Sequence, residues 1–304
     1  MRILIVSNFY PPFAVGGAEI VAHRHAQALI ARGHEVVVFA GRPQREGKVG
    51  AEIDFEIVDG VEVHGMMLRS LNHDRSFRWE AAGRAFRAVA LQTRPDIVHF
   101  HNLSGLGANL VLEAKRLGLR PICPVHDHWA YCVRNTLQRP EGWVCRNTEE
   151  CHFCVPNVTD ENGKALPFRL PRDYVRACMA QVDQLVFPSA YLAEAFRAQG
   201  FDPARISVQS NGIDIARFDT SPPADDGPLR IAVIGYLGEH KGFRLLFEAL
   251  DLVLAQPRLS GKWRVEIAGD GHMRDWISGR CEETHMAGHV SFLGRIPQDE
   301  VPKL

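Results

Sequence analysis

Short, wholly apolar runs recur from the start of the chain, each followed by a stretch whose apolar residues fall at helical spacing. No other feature limits the fold as much. Ile3 to Val6 is such a run, as expected of a strand covered on both faces. After Gly16-Gly17, the segment AEIVAHRHAQALIARG sets Ala22, Ala26, Leu29 and Ile30 on one helical stripe, and Gly33 supplies the stop. EVVVFAG follows as a second strand, so the opening is a parallel βαβ unit. A helix carrying Ala82, Phe86, Val89 and Ala90 leads into DIVHFH, another ending near Gly118 leads into PICPVHDHW, and QLVFPS precedes a helix that stops at Gly200. This repetition predicts a doubly wound α/β sheet.

DTSPPADDGP, residues 219–228, breaks the rhythm with prolines, a glycine and acids, which is a linker composition. Beyond it come RIAVIG, the helix FRLLFEALDLVL, the strand WRVEIAGDG, another helix and HVSFLG. The sequence thus predicts a first domain over 1–218, a linker over 219–228 and a partial second domain over 229–304. The closing VSFLGRIPQDEVPKL reads as a strand followed by the first turn of a helix. We therefore expect the second α/β domain to be incomplete and the chain to be truncated at its C-terminus.

The 304 residues carry a formal net charge of -1, which argues against a general attraction to nucleic acid. MRILIVSNFYPPF is too short in apolar length for a signal peptide or a span, and no stretch approaches about 18 uninterrupted apolar residues. The expected location is the cytoplasm, where thiols stay reduced unless they bind metal or do chemistry.

Gly16-Gly17 before a helix lets backbone N–H groups approach a phosphate, although two glycines also make a plain turn. No G-x-G-x-x-G is present, and no acid ends the second strand, which argues against a nicotinamide-binding half. His126, Asp127 and His128 stand together where the apolar strand of PVHDHW ends, the edge at which open sheets bind ligands. His99 and His101 end the neighbouring strand. Lys241, in IGYLGEHKGFRLL, lies in a strand-to-helix loop with Gly235, Gly238 and Gly242, where a flexible cation suits a diphosphate. Gly269 and Gly271 form a further strand-end loop.

Four of the seven cysteines, Cys132, Cys145, Cys151 and Cys154, are spaced C-x12-C-x5-C-x2-C in a polar insertion at about 130–158. The set matches a closed structural zinc site, with an iron–sulfur cluster as the less favoured variant and reduced thiols or a redox pair as the alternatives. His152 and His128 are spare ligands. A closed site has no open position for catalysis. Cys123, Cys178 and Cys281 lie in apolar or helical settings and read as packing residues.

YPPFAVGGAE, PVHDHW, FPSAYLAEAFRAQGFDPARISVQSNGIDIARF, IGYLGEHKGFRLLFEAL, IAGDG and VSFLG fall in one order along nearly the whole chain. Together they resemble glycosyltransferase family 4, retaining enzymes of the GT-B fold, and the cysteine-bearing loop resembles a bacterial sub-group of it. The resemblance implies two Rossmann-like domains facing across a cleft, the first on the acceptor side and the second binding the nucleotide-sugar donor, with no catalytic metal. It implies that Gly16 and Gly17 meet the donor diphosphate, that His126 contacts the transferred sugar at the reacting carbon, and that Lys241 neutralises the leaving diphosphate. Gly269 and Gly271 would border the nucleotide, and His99, His101 and Asp127 are candidates for the acceptor side. Asn211 and Gly212 belong to the turn before the linker.

Two departures stand out. The family usually has an arginine where this chain has Tyr236, and the segment bearing its paired glutamates is not in the sequence. The expected function is transfer of a sugar from a nucleotide-diphosphate sugar to a carbohydrate or lipid-linked acceptor, in cell-surface polysaccharide synthesis, with peripheral association at the inner face of the membrane. The fragment alone is expected to be inactive, because transition-state stabilisation needs the whole site. The rival readings are a non-catalytic sugar- or nucleotide-binding protein and, further off, a sugar-nucleotide epimerase.

Overall fold

Thirteen strands and seven α-helices are seen in a computed structural model that describes the chain except residues 14, 15, 44–52, 70, 72–76, 156, 161, 219–226, 285 and 299. Most of the stretch read as a linker, 219–226, lies outside the described residues. By backbone proximity the chain divides into two units, Met1–Asn211 and Gly212–Leu304.

In the first unit the strands are β1 (Arg2–Ser7), β2 (Glu35–Arg42), β3 (Ile53–Val58), β4 (Val61–Met67), β5 (Ile97–Phe100), β6 (Arg120–Pro124), β7 (Val158–Thr159), β8 (Ala165–Leu166), β9 (Gln184–Phe187) and β10 (Ile206–Val208). Its helices are α1 (Gly17–Ile30), α2 (Glu80–Thr93), α3 (Asn109–Arg116), α4 (Leu170–Met179) and α5 (Ala190–Ala198). Eight strands form one sheet in the order β10-β9-β6-β5-β1-β2-β4-β3, while β7 and β8 make a separate antiparallel ribbon. Every pairing in the large sheet is parallel except β3 with β4. Asp59 and Gly60, at φ 49° and 79°, make that two-residue hairpin turn. Both residues need positive φ there, which explains the Asp-Gly pair.

The sheet is covered on both faces because its residues alternate between two cores. Leu4, Val6, Val98 and Phe100 belong to one, and Ile3 and Ile5 to the other. On the second face α1 contributes Ala22 and Ala26 to the apolar core, small side chains that let the helix lie close to β1 and β2. On the first face α2 inserts Phe86 between Phe39 and Phe100, with ring centroids 6.2 and 5.9 Å away.

The strand order reverses between β1 and β5. From β1 the chain winds outward through β2, then returns to build β5, β6 and β9 on the other side. Loops leaving the carboxyl ends of β1 and β5 therefore separate, and a crevice opens there. His101 stands at that point.

The second unit has β11 (Leu229–Ile234), β12 (Trp263–Ala268) and β13 (Val290–Gly294) in a parallel sheet ordered β11-β12-β13, with α6 (Phe243–Leu254) and α7 (Arg274–Glu283). Val265 and Ile267 of the central strand pack with Phe243, Phe247 and Leu250 of α6 and Ile277 of α7. After β13, where the sequence suggests a helical start, the chain makes one 3₁₀ turn, Val301–Lys303.

Phe86 is fully buried and carries the contact between α2 and β5. Phe86→Ala should destabilise the first unit by about 3–5 kcal/mol, read as a lower urea midpoint of its unfolding transition.

Candidate functional site

The first cluster of candidate residues is built by the ends of β5 and β6. The His101 N–H donates to the Val6 carbonyl at 2.8 Å, which carries the β1–β5 ladder one residue past the strand. Val125 is held likewise by the Val186 carbonyl at 2.8 Å, and His126 follows it. The two imidazoles meet: His101 Nδ1 lies 3.1 Å from His126 Nε2, with ring planes 21° apart. Burial lowers the His126 pKa to about 4, with His25 adding to the effect. Burial also holds His101 well below its ordinary value, as do His126, His25 and His99. At neutral pH both rings are uncharged, so a single N–H lies between them and fixes their tautomers as a pair.

A recess of about 20 Å³ opens beside them, lined among others by Asn102, His126, Asp127, Trp129 and Phe196. That is room for about one water. Asp127, an acceptor-side candidate from sequence, spends its carboxylate on its own loop, accepting from the Trp129 N–H at 2.9 Å and the Asn135 amide at 3.1 Å. His128 pairs with the Tyr131 hydroxyl at 2.5 Å. His101, only 5% exposed, stands behind His126. His99 directs its Nδ1 into the protein, where that atom is buried and meets no hydrogen-bond partner among the described residues.

Gly16 and Gly17 start α1. The Gly16 N–H is taken by the Glu19 carboxylate at 2.8 Å, and Glu19 is buried. A side chain at Gly17 would meet nothing within 4 Å, and one at Gly16 only that carboxylate, at 3.7 Å. Among the described residues packing therefore does not require glycine at either position, and together they open a fourteen-residue helix, whose first-turn N–H groups have no partner within the helix.

The four insertion cysteines are free thiols. Burial raises Cys132, Cys154 and Cys151, the last to about 11, and the thiols raise one another. Two backbone N–H groups, of Arg134 and Leu137, favour a thiolate at Cys132. Cys145 and Cys151 instead donate S–H to the carbonyls of Asn147 and Thr148, at 3.3 and 2.9 Å. The spacing leads one to expect a closed tetrahedron, yet among the described residues no three of these sulfurs come within 4.8 Å of one another. Two of the thiols are spent on backbone carbonyls. Cys123, Cys178 and Cys281 are buried.

In the second unit Lys241 is exposed at the end of a 3₁₀ turn, Glu239–Lys241, followed by Gly242 at φ 77° and α6. Gly269 and Gly271 hold this loop from below. A Cβ on Gly269 would sit 1.8 Å from the Gly235 carbonyl oxygen, and one on Gly271 2.4 Å from that of Leu237. These glycines are demanded by close packing of the two strand-end loops. Tyr236 pairs its hydroxyl with His272 Nδ1 at 3.2 Å and stacks beside His240. The sequence reading singled out neither histidine, nor His25. Only the Ala22–Ala26 stripe of α1 signals that His25 faces inward.

A sequence profile described as "Glycosyltransferase Family 4" matches residues 15–217, and one described as "Glycosyl transferases group 1" matches 214–304. A glycogen synthase of Mycobacterium tuberculosis is 25% identical, aligned over 99% of this chain and 69% of its own length. An uncharacterized glycosyltransferase of Methanocaldococcus jannaschii is 23% identical over 100% of this chain and 72% of its own. Among solved structures, sucrose-phosphate synthase from Thermosynechococcus elongatus superposes with a TM-score of 0.63 at 16% identity, covering 99% of this chain and 72% of that one. Anabaena HepE in complex with UDP gives 0.61 at 15%, covering 100% and 71%. These likenesses establish a GT-B type of fold.

Burial, with repulsion from Glu19 and against its two hydrogen bonds, raises the Asp127 pKa from 3.8 to about 6. Because the folded value is raised, the contribution of this group to stability is full below about pH 4 and is lost as the pH climbs through 6. Urea midpoints of the natural chain and of Asp127→Asn, measured from pH 4 to 7, should therefore diverge. The natural chain should lose stability relative to the variant across that window.

Proposed function

Because the chain belongs to glycosyltransferase family 4, we propose that the sugar it transfers comes from a nucleotide-diphosphate sugar, with retention of anomeric configuration. The acceptor is a carbohydrate or a lipid-linked saccharide, and the setting is cell-surface polysaccharide synthesis in the cytoplasm, at the inner face of the membrane. Lys241 is the observation that carries this reading. Its exposed ammonium group stands at the N-terminus of a twelve-residue helix, on a loop braced by Gly269 and Gly271. A cation and free helix N–H groups at one place suit a diphosphate.

In the reaction the bond from the anomeric carbon to the donor diphosphate breaks and the bond to the acceptor hydroxyl forms, with the hydroxyl proton passing to the departing phosphate. Charge develops on that phosphate, and a fixed cation acts most strongly there. Lys241 takes this role, and Gly16 and Gly17 offer further N–H groups to the donor. His126, uncharged, hydrogen-bonds the transferred sugar. Where the family carries an arginine, Tyr236 brings no charge, which leaves more of the work to Lys241. Solved HepE complexes contain UDP and UDP-glucose, which makes these suitable probes. Lys241→Ala should weaken UDP-glucose binding by about 10–100-fold in calorimetry, the loss of a charged hydrogen bond. Any product formed should keep the donor's anomeric configuration by NMR. Unchanged affinity in the variant would remove Lys241 from the donor site.

We also propose a structural zinc ion for Cys132, Cys145, Cys151 and Cys154. The donor set suits it: four thiols share one loop, and two N–H groups already favour a thiolate at Cys132. Binding would displace the thiol protons and turn Cys145 and Cys151 from their carbonyls. Native mass spectrometry should show one zinc that chelation removes, and its removal should lower the melting temperature. A zinc-free chain of unchanged stability would refute this.

A further inference from the structure

Four buried polar atoms at the carboxyl ends of β1 and β5 have no hydrogen-bond partner among the described residues: Ser7 Oγ, Asn8 Oδ1, His99 Nδ1 and His101 Nε2. Buried groups of this kind are nearly always satisfied, so their gathering at the reversal of strand order calls for an occupant. His99 pairs in register with Ile5, and side chains alternate along a strand. Ser7, His99 and His101 therefore share the face that α1 covers. From α1, His25 comes down onto this face, its ring 5.2 Å from that of His101.

The geometry points to a divalent transition-metal site made by His25, His99 and His101, of the class that zinc occupies. One ligand atom from each of the three lies within 4.8 Å of the others, and no other group of three such side chains does so among the described residues. Three imidazoles are a recurrent donor set for zinc, with a fourth position left for water. Burial lowers all three pKa values, that of His99 to about 4, so the ring lone pairs are free at neutral pH. The three share no position with the cysteine set.

Such an ion would also orient the neighbouring candidate for sugar contact. The Nδ1 of His101 already faces His126, so the metal is left with Nε2, the atom without a partner. A metal on Nε2 requires the proton on Nδ1, which then donates to His126 Nε2 and leaves the His126 proton on its own Nδ1. The three histidines are thus positioning residues for His126.

The experiment is a cobalt(II) titration of the metal-free full chain, followed by absorption. We expect a visible d–d band without a thiolate-to-cobalt charge-transfer band, and this separates the histidine site from the cysteine loop. His25→Ala should weaken that band's affinity by more than the roughly 10–100-fold typical of an outer-shell loss, while unchanged circular dichroism shows the fold is kept. Zinc should raise the melting temperature of the chain with its cysteines alkylated, and should not do so for alkylated His25→Ala. In NMR of the natural chain, zinc should move the imidazole signals of His99 and His101. A cobalt spectrum made only of thiolate bands, or a histidine-type band that survives in both His25→Ala and His99→Gln, overturns the proposal. Neither result touches the Lys241 test of donor binding.

Discussion

One backbone hydrogen bond, from the His101 N–H to the Val6 carbonyl, sets the geometry of the first unit's candidate site. It continues the parallel ladder past the last residue of β5 at the point where strand order reverses. It also fixes which face of the sheet receives His101. That face is the one α1 lies on, and the ring is enclosed between His25 and His126. Phe86 and Phe100 keep β5 in place from the opposite face. A slip of one residue would exchange the two faces and send the histidines into the aromatic core.

The candidate sites of the two units handle charge in opposite ways. At the first, burial suppresses it: His99, His101 and His126 are pushed toward the neutral form, Asp127 is drawn toward its protonated form, and the thiols of Cys132, Cys151 and Cys154 are pushed up. Such groups recognise by hydrogen bonding or bind a metal, and cost the fold little in buried charge. In the second, Lys241 is exposed and Arg244 is occupied twice by Glu239, at 3.0 Å each. An exposed cation attracts an anionic ligand without a desolvation penalty in the free protein. The first arrangement suits an uncharged sugar, the second a diphosphate.

Glycines that look alike in the sequence serve different ends. Gly269 and Gly271 are fixed by the backbone of the neighbouring loop, which leaves no room for a Cβ. A Cβ on Gly17 would meet nothing within 4 Å and one on Gly16 only the Glu19 carboxylate, so among the described residues packing does not explain them. In the second unit the absence of a side chain serves the approach of one loop to another.

Much of this protein was legible in its sequence. Apolar runs of period two and stripes of period 3.6 are local, and they marked the strands β1, β2, β5, β6 and β9 and the helices between them. Lys241 and His126 were visible because strand-end positions in an alternating chain have a known place on an open sheet. The β3–β4 hairpin was passed over although Asp59-Gly60 announces it. For His25 the only local sign is the Ala22–Ala26 stripe, which shows that the residue faces inward and not which groups it meets. Cysteine spacing marks four candidate ligands in one loop, but spacing counts residues and does not orient sulfurs: here Cys145 and Cys151 donate to backbone carbonyls. Local periodicity determined the elements and their order. Only the tertiary structure decided that His25, His99 and His126, from a helix and the ends of two strands, would gather around the buried ring of His101, because burial and proton sharing depend on contacts between residues far apart along the chain.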